Sequence, residues 1–430
     1  MTDIHGNRFE YVASGLNYTR MTYDPTLLDA DPKLKQFITD AFVKAQTIGA
    51  NHAFSVLFNG WTEVAIGELL QRFRSDVPNL YADSGGLQVY TQGKKITEDL
   101  KVDVYRTQAK FATRGFIFDE QPIASATSGN LSKHNMGGRW FSHDLVEPQG
   151  RLTGQNVKRQ IETFLETDTP ARVMLILHGN CLESYQRCLD YILDEVPEDM
   201  HHMIHGIGLG GGALGGGALE DVKRIFYFSQ LESPLNIDHV HILGIGSVRR
   251  NLPPIIFAQS GLFKNLLISY DSTTHTSGLT QGRHWMDIKR NELHISKRKN
   301  HVWETMWENV NSHFDLSDLS FDEYYDYCLE SSYERIKAKY ENGSNHIRCY
   351  FATAMSGIFN FIQWMEKFIQ DENFVHSYLM GNHKLRHLSY LKDVKDMRDF
   401  HHWERNHGKY LPSKPVTMKP TTLEDFFNEE

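Results

Sequence analysis

Cysteine is scarce in this chain, with 4 residues among 430, and long apolar runs are absent. Cys181, Cys188, Cys328 and Cys349 form no CxxC pair and no closely spaced metal-binding quartet, which is typical of reduced thiols in a cytosolic protein. No apolar run approaches the roughly 18 residues that cross a bilayer, and the polar N-terminus has no signal-peptide pattern. We therefore expect a cytoplasmic protein that has no membrane partner.

Positive charge is also in deficit, because 45 Lys and Arg face 54 Asp and Glu and leave a net charge of −9. This balance argues against a uniformly basic surface that coats nucleic acid, but it leaves room for a local basic face. Hydrophobic residues make up 40% of the chain and aromatic residues 12%, which is enough for a sizeable core. The length suits one large α/β barrel or two ordinary domains.

Eight short apolar runs precede residue 272, and most of them end on glycine or a polar residue. They span residues 9–14, 53–58, 80–82, 116–118, 173–177, 203–204, 240–243 and 266–270. Apolar residues at helical spacing lie between several of them, over 66–73, 155–165 and 182–196. This alternation predicts parallel strands buried on both faces, and eight units predict an α/β fold of the (β/α)8 TIM-barrel type. A doubly wound open sheet is the alternative.

The carboxyl ends of all strands meet at one face of such a barrel, where active sites form. The polar residues expected there are Asn59, Asp83, Asp119, His178 and Asp271, together with a glycine-rich run over 206–217. Any one aspartate could merely cap a helix or pair with a lysine. The recurrence of the pattern favours a catalytic site at this face.

Two carboxylates on one pocket floor, Asp83 and Asp271, suit double-displacement chemistry at a sugar carbon. One attacks C1′ to form a covalent glycosyl-enzyme, and the other carries the proton of the leaving and entering groups. In retaining glycosidases such carboxyls lie about 5–5.5 Å apart. Asp119 could accept two parallel hydrogen bonds from the N1–H and N2–H edge of a guanine.

Metal binding is the weaker interpretation of the histidines and cysteines. The candidate ligands are His201, His202, His205, His239 and His241, with Cys328, His346 and Cys349 as a second set. Histidines scattered over surfaces and strands are more often plain polar residues, so we predict no metal and no other cofactor. The glycine-rich run lacks the Lys-Ser/Thr of a P-loop, so phosphate binding there is only weakly indicated.

The character of the chain changes after residue 272. We predict three parts: a catalytic barrel over 1–283, a basic and helical insertion over 284–345, and a closing barrel helix with a helical C-terminal extension over 346–430. Residues 124–152 are expected to form a long irregular loop over the active face. The cations of the insertion are either a solvated surface or a nucleic-acid-binding face. They are Lys289, Arg290, Lys297, Arg298 and Lys299.

Several motifs in this order resemble the tRNA-guanine transglycosylase superfamily, zinc-containing barrels that exchange guanine for a 7-deazaguanine base. The run from Asp83 to Val89 resembles the family motif DSGG[FY]QV, and Asp119-Glu120 resembles its FDE segment. Residues 210–215 resemble its GGL-x-x-G loop, and residues 241–246 resemble a strand that ends in LGVG. The resemblance covers roughly residues 60–282.

The resemblance implies a role for each matching residue. It makes Asp83 the general acid/base and Asp271 the nucleophile. The remaining matches are expected to contact the substrate: Asn59, Ser84, Asp119, His178 (where the family has Gln), Gly210, Gly211 and Gly212.

Three departures from the family pattern indicate its DNA-modifying branch, and a phage-type enzyme in particular. The zinc motif CxCxxC with a later His is absent, and Ser356 stands where that His would be. The segment 275–277 replaces the family's PTR, whose Arg contacts the tRNA backbone. Leu87 replaces an aromatic residue that stacks on the base.

The hypothesis is therefore a DNA-guanine transglycosylase that inserts a preQ0-type base, located in the host cytoplasm if a phage encodes it. The alternatives are a tRNA-guanine transglycosylase, a non-catalytic partner subunit of such an enzyme, and a barrel glycosidase. The oligomeric state and the particular deazaguanine are not indicated by the sequence.

Overall fold

The centre of the computed structural model is a closed barrel of eight parallel strands in chain order, with the first strand hydrogen-bonded to the eighth. The strands are β1 (Arg8–Ala13), β2 (His52–Asn59), β3 (Leu80–Asp83), β4 (Arg114–Phe116), β5 (Arg172–Leu177), β6 (Ile204–Leu209), β7 (His239–Ile242) and β8 (Leu267–Ser272). The pairing of β1 with β8 confirms the predicted (β/α)8 TIM barrel and rules out the open sheet. The structure describes residues 5–19, 21, 26–77, 79–86, 96–122, 141–210, 218–277, 285–287, 292–294, 300–329 and 344–411.

Helices separate consecutive strands and cover the outside of the barrel. They are α1 (Thr26–Ala30), α2 (Pro32–Thr47), α3 (Val64–Gln71), α4 (Glu98–Phe111), α5 (Val146–Glu166), α6 (Leu182–Asp194), α7 (Ala218–Phe228) and α8 (Val248–Gln259). Local sequence explains where some begin. Asp31 accepts hydrogen bonds from two N–H groups of the first turn of α2, and Pro32 suits the first helical position. None of the helices in the described ranges has the length and apolar character needed to cross a membrane.

After β8 the chain forms α9 (Thr274–Ser277) and a small antiparallel pair, β9 (Trp285–Asp287) with β10 (Glu292–His294). Helices α10 (Asn300–His313) and α11 (Phe321–Leu329) follow, and then the 27-residue helix α12 (Ser344–Gln370). The sequence predicted a closing barrel helix at the start of the part 346–430, two residues after the observed start.

Helix α12 closes the outer layer of the barrel, because it packs against both α2 and α8. The rings of Phe351 and Phe42 on α2 meet edge to face with centroids 5.5 Å apart. Gln259, at the end of α8, donates from Nε2 to the carbonyl of Phe368 at 2.7 Å. The barrel layer is therefore completed by a helix that lies about 70 residues further along the chain than its eighth strand.

The C-terminal extension is helical, as predicted, and packs on the barrel. Its helices are α13 (Glu372–Gly381) and α14 (Met397–Asn406). Phe400 of α14 stacks on Phe226 of α7, with ring centroids 4.1 Å apart and planes 7° from parallel. Lys223 and Glu404 form an ion pair of 2.7 Å beside them, and Trp403 is only 2% exposed. The extension thus shares the hydrophobic core of the barrel.

Three sequence-based boundaries are wrong. Strand β4 covers Arg114–Phe116 rather than 116–118, so Asp119 lies three residues beyond the strand. Strand β6 continues to Leu209 through Gly206, which was assigned to the glycine-rich loop. A Cβ at Gly206 would lie 2.5 Å from the His239 carbonyl oxygen, so the close approach of two strands requires glycine there. Helix α5 begins at Val146, inside the loop predicted over 124–152.

The stacking of the extension on α7 predicts that Phe400→Ala lowers the free energy of unfolding by about 3–5 kcal/mol, the usual effect of removing a buried Phe side chain. Urea denaturation followed by circular dichroism measures this change. Met380→Ala is the control, because that side chain is 54% exposed and its loss should change stability by less than about 0.5 kcal/mol. Equal small effects for both variants would contradict the packing described here.

Candidate active site

Three carboxylates lie together at the carboxyl end of the barrel strands. Asp83 is the last residue of β3, Asp119 follows β4, and Asp271 is the fifth residue of β8. The negative charges of Asp119 and Asp271 both raise the pKa of Asp83, so the three side chains are close enough to interact. The structure therefore brings together the three aspartates that the sequence singled out.

Asp83 titrates near neutral pH. Burial is the largest cause that raises the pKa of Asp83 to about 7, and repulsion by the other two carboxylates acts in the same direction. The backbone N–H groups of Gly85 and Ser84 oppose this shift by hydrogen bonding to the carboxylate. A group that is half protonated near pH 7 can give and take a proton under the same conditions, as an acid/base catalyst must.

Asn59, at the end of β2, orients the carboxyl group of Asp83. Its Nδ2 donates to Asp83 Oδ2 at 3.2 Å, while its Oδ1 accepts from the backbone N–H groups of Trp61 and Thr62 at 3.0 and 2.9 Å. These two bonds fix the amide so that its N–H2 group points at Asp83. Gly85 has φ of +84°, and a Cβ there would lie 3.3 Å from Asn59 Oδ1, so the turn after Asp83 requires glycine.

Asp119 and His178 form a close pair. His178 Nε2 lies 2.5 Å from Asp119 Oδ2, and the two side chains are 11% and 7% exposed. Glycines surround this pair: a Cβ at Gly86 would lie 3.0 Å from Asp119 Oδ1, and one at Gly210 would lie 2.7 Å from Cε1 of His178. The backbone can approach the pair from both sides only because these positions lack side chains.

Asp271 is held mainly by one of its two oxygens. Oδ1 accepts the backbone N–H of Gly244 at 2.7 Å and lies 3.3 Å from His241 Nε2. Among the described residues, Oδ2 has a single weak contact, with Ser14 Oγ at 3.5 Å. The less engaged oxygen is therefore the one available for attack on a substrate.

Gly244 is itself held at its carbonyl by the ion pair of Arg250 with Asp221. Arg250 Nη1 donates to the Gly244 carbonyl at 3.1 Å. The same guanidinium donates to both oxygens of Asp221, from Nε at 2.7 Å and from Nη2 at 3.0 Å. Asp221 is 1% exposed, and this bidentate pair holds the carbonyl side of Gly244, the residue whose N–H engages Asp271.

The other predicted site residues are Ser84, three glycines and five basic residues. Ser84 has no exposed surface, and its hydroxyl accepts from the N–H of Gly86 at 3.3 Å, which orders the turn after Asp83. Gly210 is buried against His178. The remaining residues lie outside the described part of the chain: Gly211, Gly212, Lys289, Arg290, Lys297, Arg298 and Lys299.

No group of three or more His, Cys, Asp or Glu within the described ranges is arranged to hold a metal ion. His201 and His202 contact backbone carbonyls that are near in sequence, at 3.1 and 2.7 Å. His239 and His241 are instead fully buried. The candidate histidine ligands therefore do not assemble into one set.

Sequence reasoning missed the supports of the nucleophile candidate, which are Ser14, His241 and Arg250. His241 was considered only as a metal ligand or a plain polar residue. The available signal was alternation: His239 and His241 share one face of β7, and Ser269 and Asp271 share one face of β8. Polar residues at alternate positions of two consecutive buried strands indicate contact inside a barrel.

No protein-family model matches this sequence, and no curated protein matches it as a relative. Two solved structures show low similarity to this chain. A psychrophilic glycoside hydrolase family 10 endo-β-1,4-xylanase is 11% identical, with 61% of this chain and 85% of that chain covered and a TM-score of 0.31. The carboxyl transferase domain from Rhizobium etli pyruvate carboxylase is 11% identical, with 90% and 56% covered and a TM-score of 0.36.

The raised pKa of Asp83 predicts that Asp83→Asn stabilises the protein, and more so at pH 8 than at pH 5. The folded state binds this proton more tightly than the unfolded state, whose pKa is near 3.8, so wild-type stability is lost as pH rises toward about 7. Asparagine has no charge to bury, and we expect a gain of about 1–3 kcal/mol at pH 8. Urea denaturation at both pH values measures it.

Asp103→Asn is the control, because that side chain is 70% exposed and its substitution should change stability little at either pH. A gain for Asp83→Asn that is the same at pH 5 and pH 8 would show that Asp83 has an ordinary pKa.

Proposed function

We propose that this chain is a guanine transglycosylase that acts on DNA and exchanges guanine for a 7-deazaguanine base of the preQ0 type. One observation carries the proposal: an acid/base group with a pKa of about 7, Asp83, shares its site with a carboxylate, Asp271, whose Oδ1 is held by two donors and whose Oδ2 has only the weak Ser14 contact among the described residues. This pairing suits double displacement at C1′ of a nucleoside. The sequence motifs around these residues resemble those of guanine transglycosylases, and they suggest guanine as the base.

In the first half-reaction, Asp271 Oδ2 attacks C1′ of a deoxyguanosine and forms a C–O bond. The C1′–N9 bond breaks, its electron pair goes to the base, and the proton of Asp83 neutralises the departing guanine. Asp83 is then a carboxylate. Because the esterified Asp271 carries no charge, it does not repel the Asp83 carboxylate, and this favours the intermediate.

In the second half-reaction, an incoming 7-deazaguanine gives its N9 proton to Asp83. Its N9 attacks C1′, the C–O bond to Asp271 breaks, and both aspartates return to their starting states. The protons balance over the cycle, and neither water nor a redox cofactor takes part. Both half-reactions therefore use the same two residues, Asp83 and Asp271.

Asp119 supplies recognition of the base in this proposal. Its Oδ2 is engaged by His178, so Oδ1, beside Gly86, is the oxygen placed to accept from the N1–H and N2–H edge of guanine. The absence of a side chain at Gly86 and Gly210 leaves space for a flat ring near this pair.

DNA rather than tRNA is favoured by the sequence departures after β8. A target guanine inside a duplex must be flipped out of the stack, which costs a few kcal/mol. The described part of the site is acidic, so the cations that bind the DNA phosphates must come from another part of the chain. The basic residues over 289–299 are the proposed source.

Asp271→Ala is expected to lower exchange of labelled guanine into DNA by at least about 10³-fold, because the variant has no nucleophile. The assay offers DNA and tRNA in parallel, and Asp103→Asn serves as a matched control on an exposed aspartate. Exchange into tRNA alone would make the protein a tRNA-guanine transglycosylase. Base release without an entering base would indicate a glycosidase, and no exchange into either nucleic acid would favour the non-catalytic subunit.

Asp119→Asn is expected to raise the KM for guanine about 10-fold or more with a smaller change in kcat, because the neutral amide oxygen accepts from the base edge more weakly than a carboxylate oxygen. His178→Gln is the matched control: glutamine keeps an N–H donor toward Asp119 and should remain within a few-fold of wild type. Steady-state exchange kinetics with varied guanine measure both. An unchanged KM for Asp119→Asn would assign base recognition to other residues.

A further inference from the structure

A line of hydrogen bonds runs through the inside of the barrel and ends on Asp271. His239 Nε2 lies 2.6 Å from Ser269 Oγ. Ser269 Oγ lies 2.8 Å from His241 Nδ1, and His241 Nε2 lies 3.3 Å from Asp271 Oδ1. His239, Ser269 and His241 are each 0% exposed, so bulk water does not compete for these bonds.

The carboxylate end of the line determines the tautomer of His241. A bare Nε2 facing Asp271 Oδ1 would place two lone pairs against each other, so Nε2 carries the hydrogen and donates. Nδ1 of a neutral ring is then an acceptor, and the hydroxyl of Ser269 donates to it. Ser269 Oγ in turn accepts from Nε2–H of His239. Each donor in the line points toward Asp271.

The contacts of His239, at the other end of the line, indicate the same direction of donation. The hydroxyl of Tyr81 donates to Glu10 Oε2, so it has no hydrogen left for His239 Nε2, 3.4 Å away. Nδ1 of His239 is buried without a hydrogen-bond partner among the described residues. Because Ser269 donates its one hydroxyl hydrogen to His241, its contact with His239 Nε2 again places the hydrogen of His239 on Nε2.

Burial keeps His239 neutral. Desolvation lowers the pKa of His239 well below its usual range, and the positive charge of Arg114 adds to the effect. An imidazolium at His241 would instead remove the Nδ1 acceptor of the Ser269 hydroxyl hydrogen, whose distance to the Val240 carbonyl oxygen is a long 3.5 Å. A neutral His241 satisfies both Ser269 and Asp271.

We propose that His241, oriented by Ser269 and His239, is the positioning residue of the nucleophile: its fixed Nε2–H engages Asp271 Oδ1 and leaves Oδ2 as the attacking oxygen. The assignment of a nucleophile rests on the proposed function. In the glycosyl ester, Oδ1 becomes the carbonyl oxygen, and the same donors from His241 and Gly244 remain on it. They then stabilise the carboxylate that departs when the entering base attacks.

The tautomer can be tested without any assay of function. Long-range ¹H–¹⁵N correlation spectra of ¹⁵N-histidine-labelled wild-type protein at pH 7 distinguish the Nε2–H form, the Nδ1–H form and the imidazolium. The spectrum of His241→Gln identifies the signals of His241 by their loss. We expect a neutral Nε2–H ring for His241; either of the other two forms would overturn the inference.

The positioning role is tested by a double-mutant cycle on the rate of covalent adduct formation with DNA, measured in a single turnover and stopped with denaturant. His241→Gln keeps an N–H donor of similar reach, whereas His241→Met has similar size and no donor. We expect about a 10²-fold loss for Met and less than a 10-fold loss for Gln. Ser269→Ala should lower the rate about 10-fold or more when His241 is present.

The informative comparison is Ser269→Ala in the His241→Gln background. Glutamine has no tautomer for Ser269 to select, so we expect little further loss there. Equal losses from Ser269→Ala in both backgrounds, or equal rates for the Gln and Met variants, would show that these residues only fill space. If the wild type forms no adduct, the proposed function fails, while the tautomer spectrum still decides whether the donor line exists.

Discussion

The structure depends on the closure of eight parallel strands, because closure brings three carboxylates of distant sequence into one poorly solvated place. The negative charges of Asp119 and Asp271 both repel that of Asp83 there. The fold offsets this repulsion in different ways: Asp83 holds its proton up to about pH 7, Asp119 pairs with His178, and Asp271 receives donors on Oδ1. Three chemically identical side chains thus acquire three different environments.

The inside of the barrel is unusually polar for this fold, whose centre is generally packed with branched apolar side chains. Glu10 is 1% exposed and accepts from Tyr81, Ser55 and Asn79. Buried polar groups are tolerated when their hydrogen-bonding capacity is met, and such networks then hold their members in one arrangement. This explains how a side chain in the middle of β8 can be oriented from within the barrel rather than from the loops.

The chain beyond the barrel strands contributes to the same core. Glu366 of α12 accepts the backbone N–H of Asn51, immediately before β2, at 3.1 Å, and Phe400 of α14 packs on α7. These contacts join the C-terminal third to opposite parts of the barrel layer. The helical extension is therefore a structural part of the barrel, and its loss would expose apolar surface on α7.

The sequence by itself indicated the eight strands and the three aspartates and favoured a barrel over an open sheet, because periodicity and strand-ending residues are local properties of the chain. It misjudged β4 and β6, where short strands and internal glycines weaken the local signal. Only the tertiary structure decided that β1 pairs with β8, that His178 meets Asp119, and that His241 faces Asp271 rather than a metal. Those contacts join residues far apart in the chain, and packing alone sets their distances.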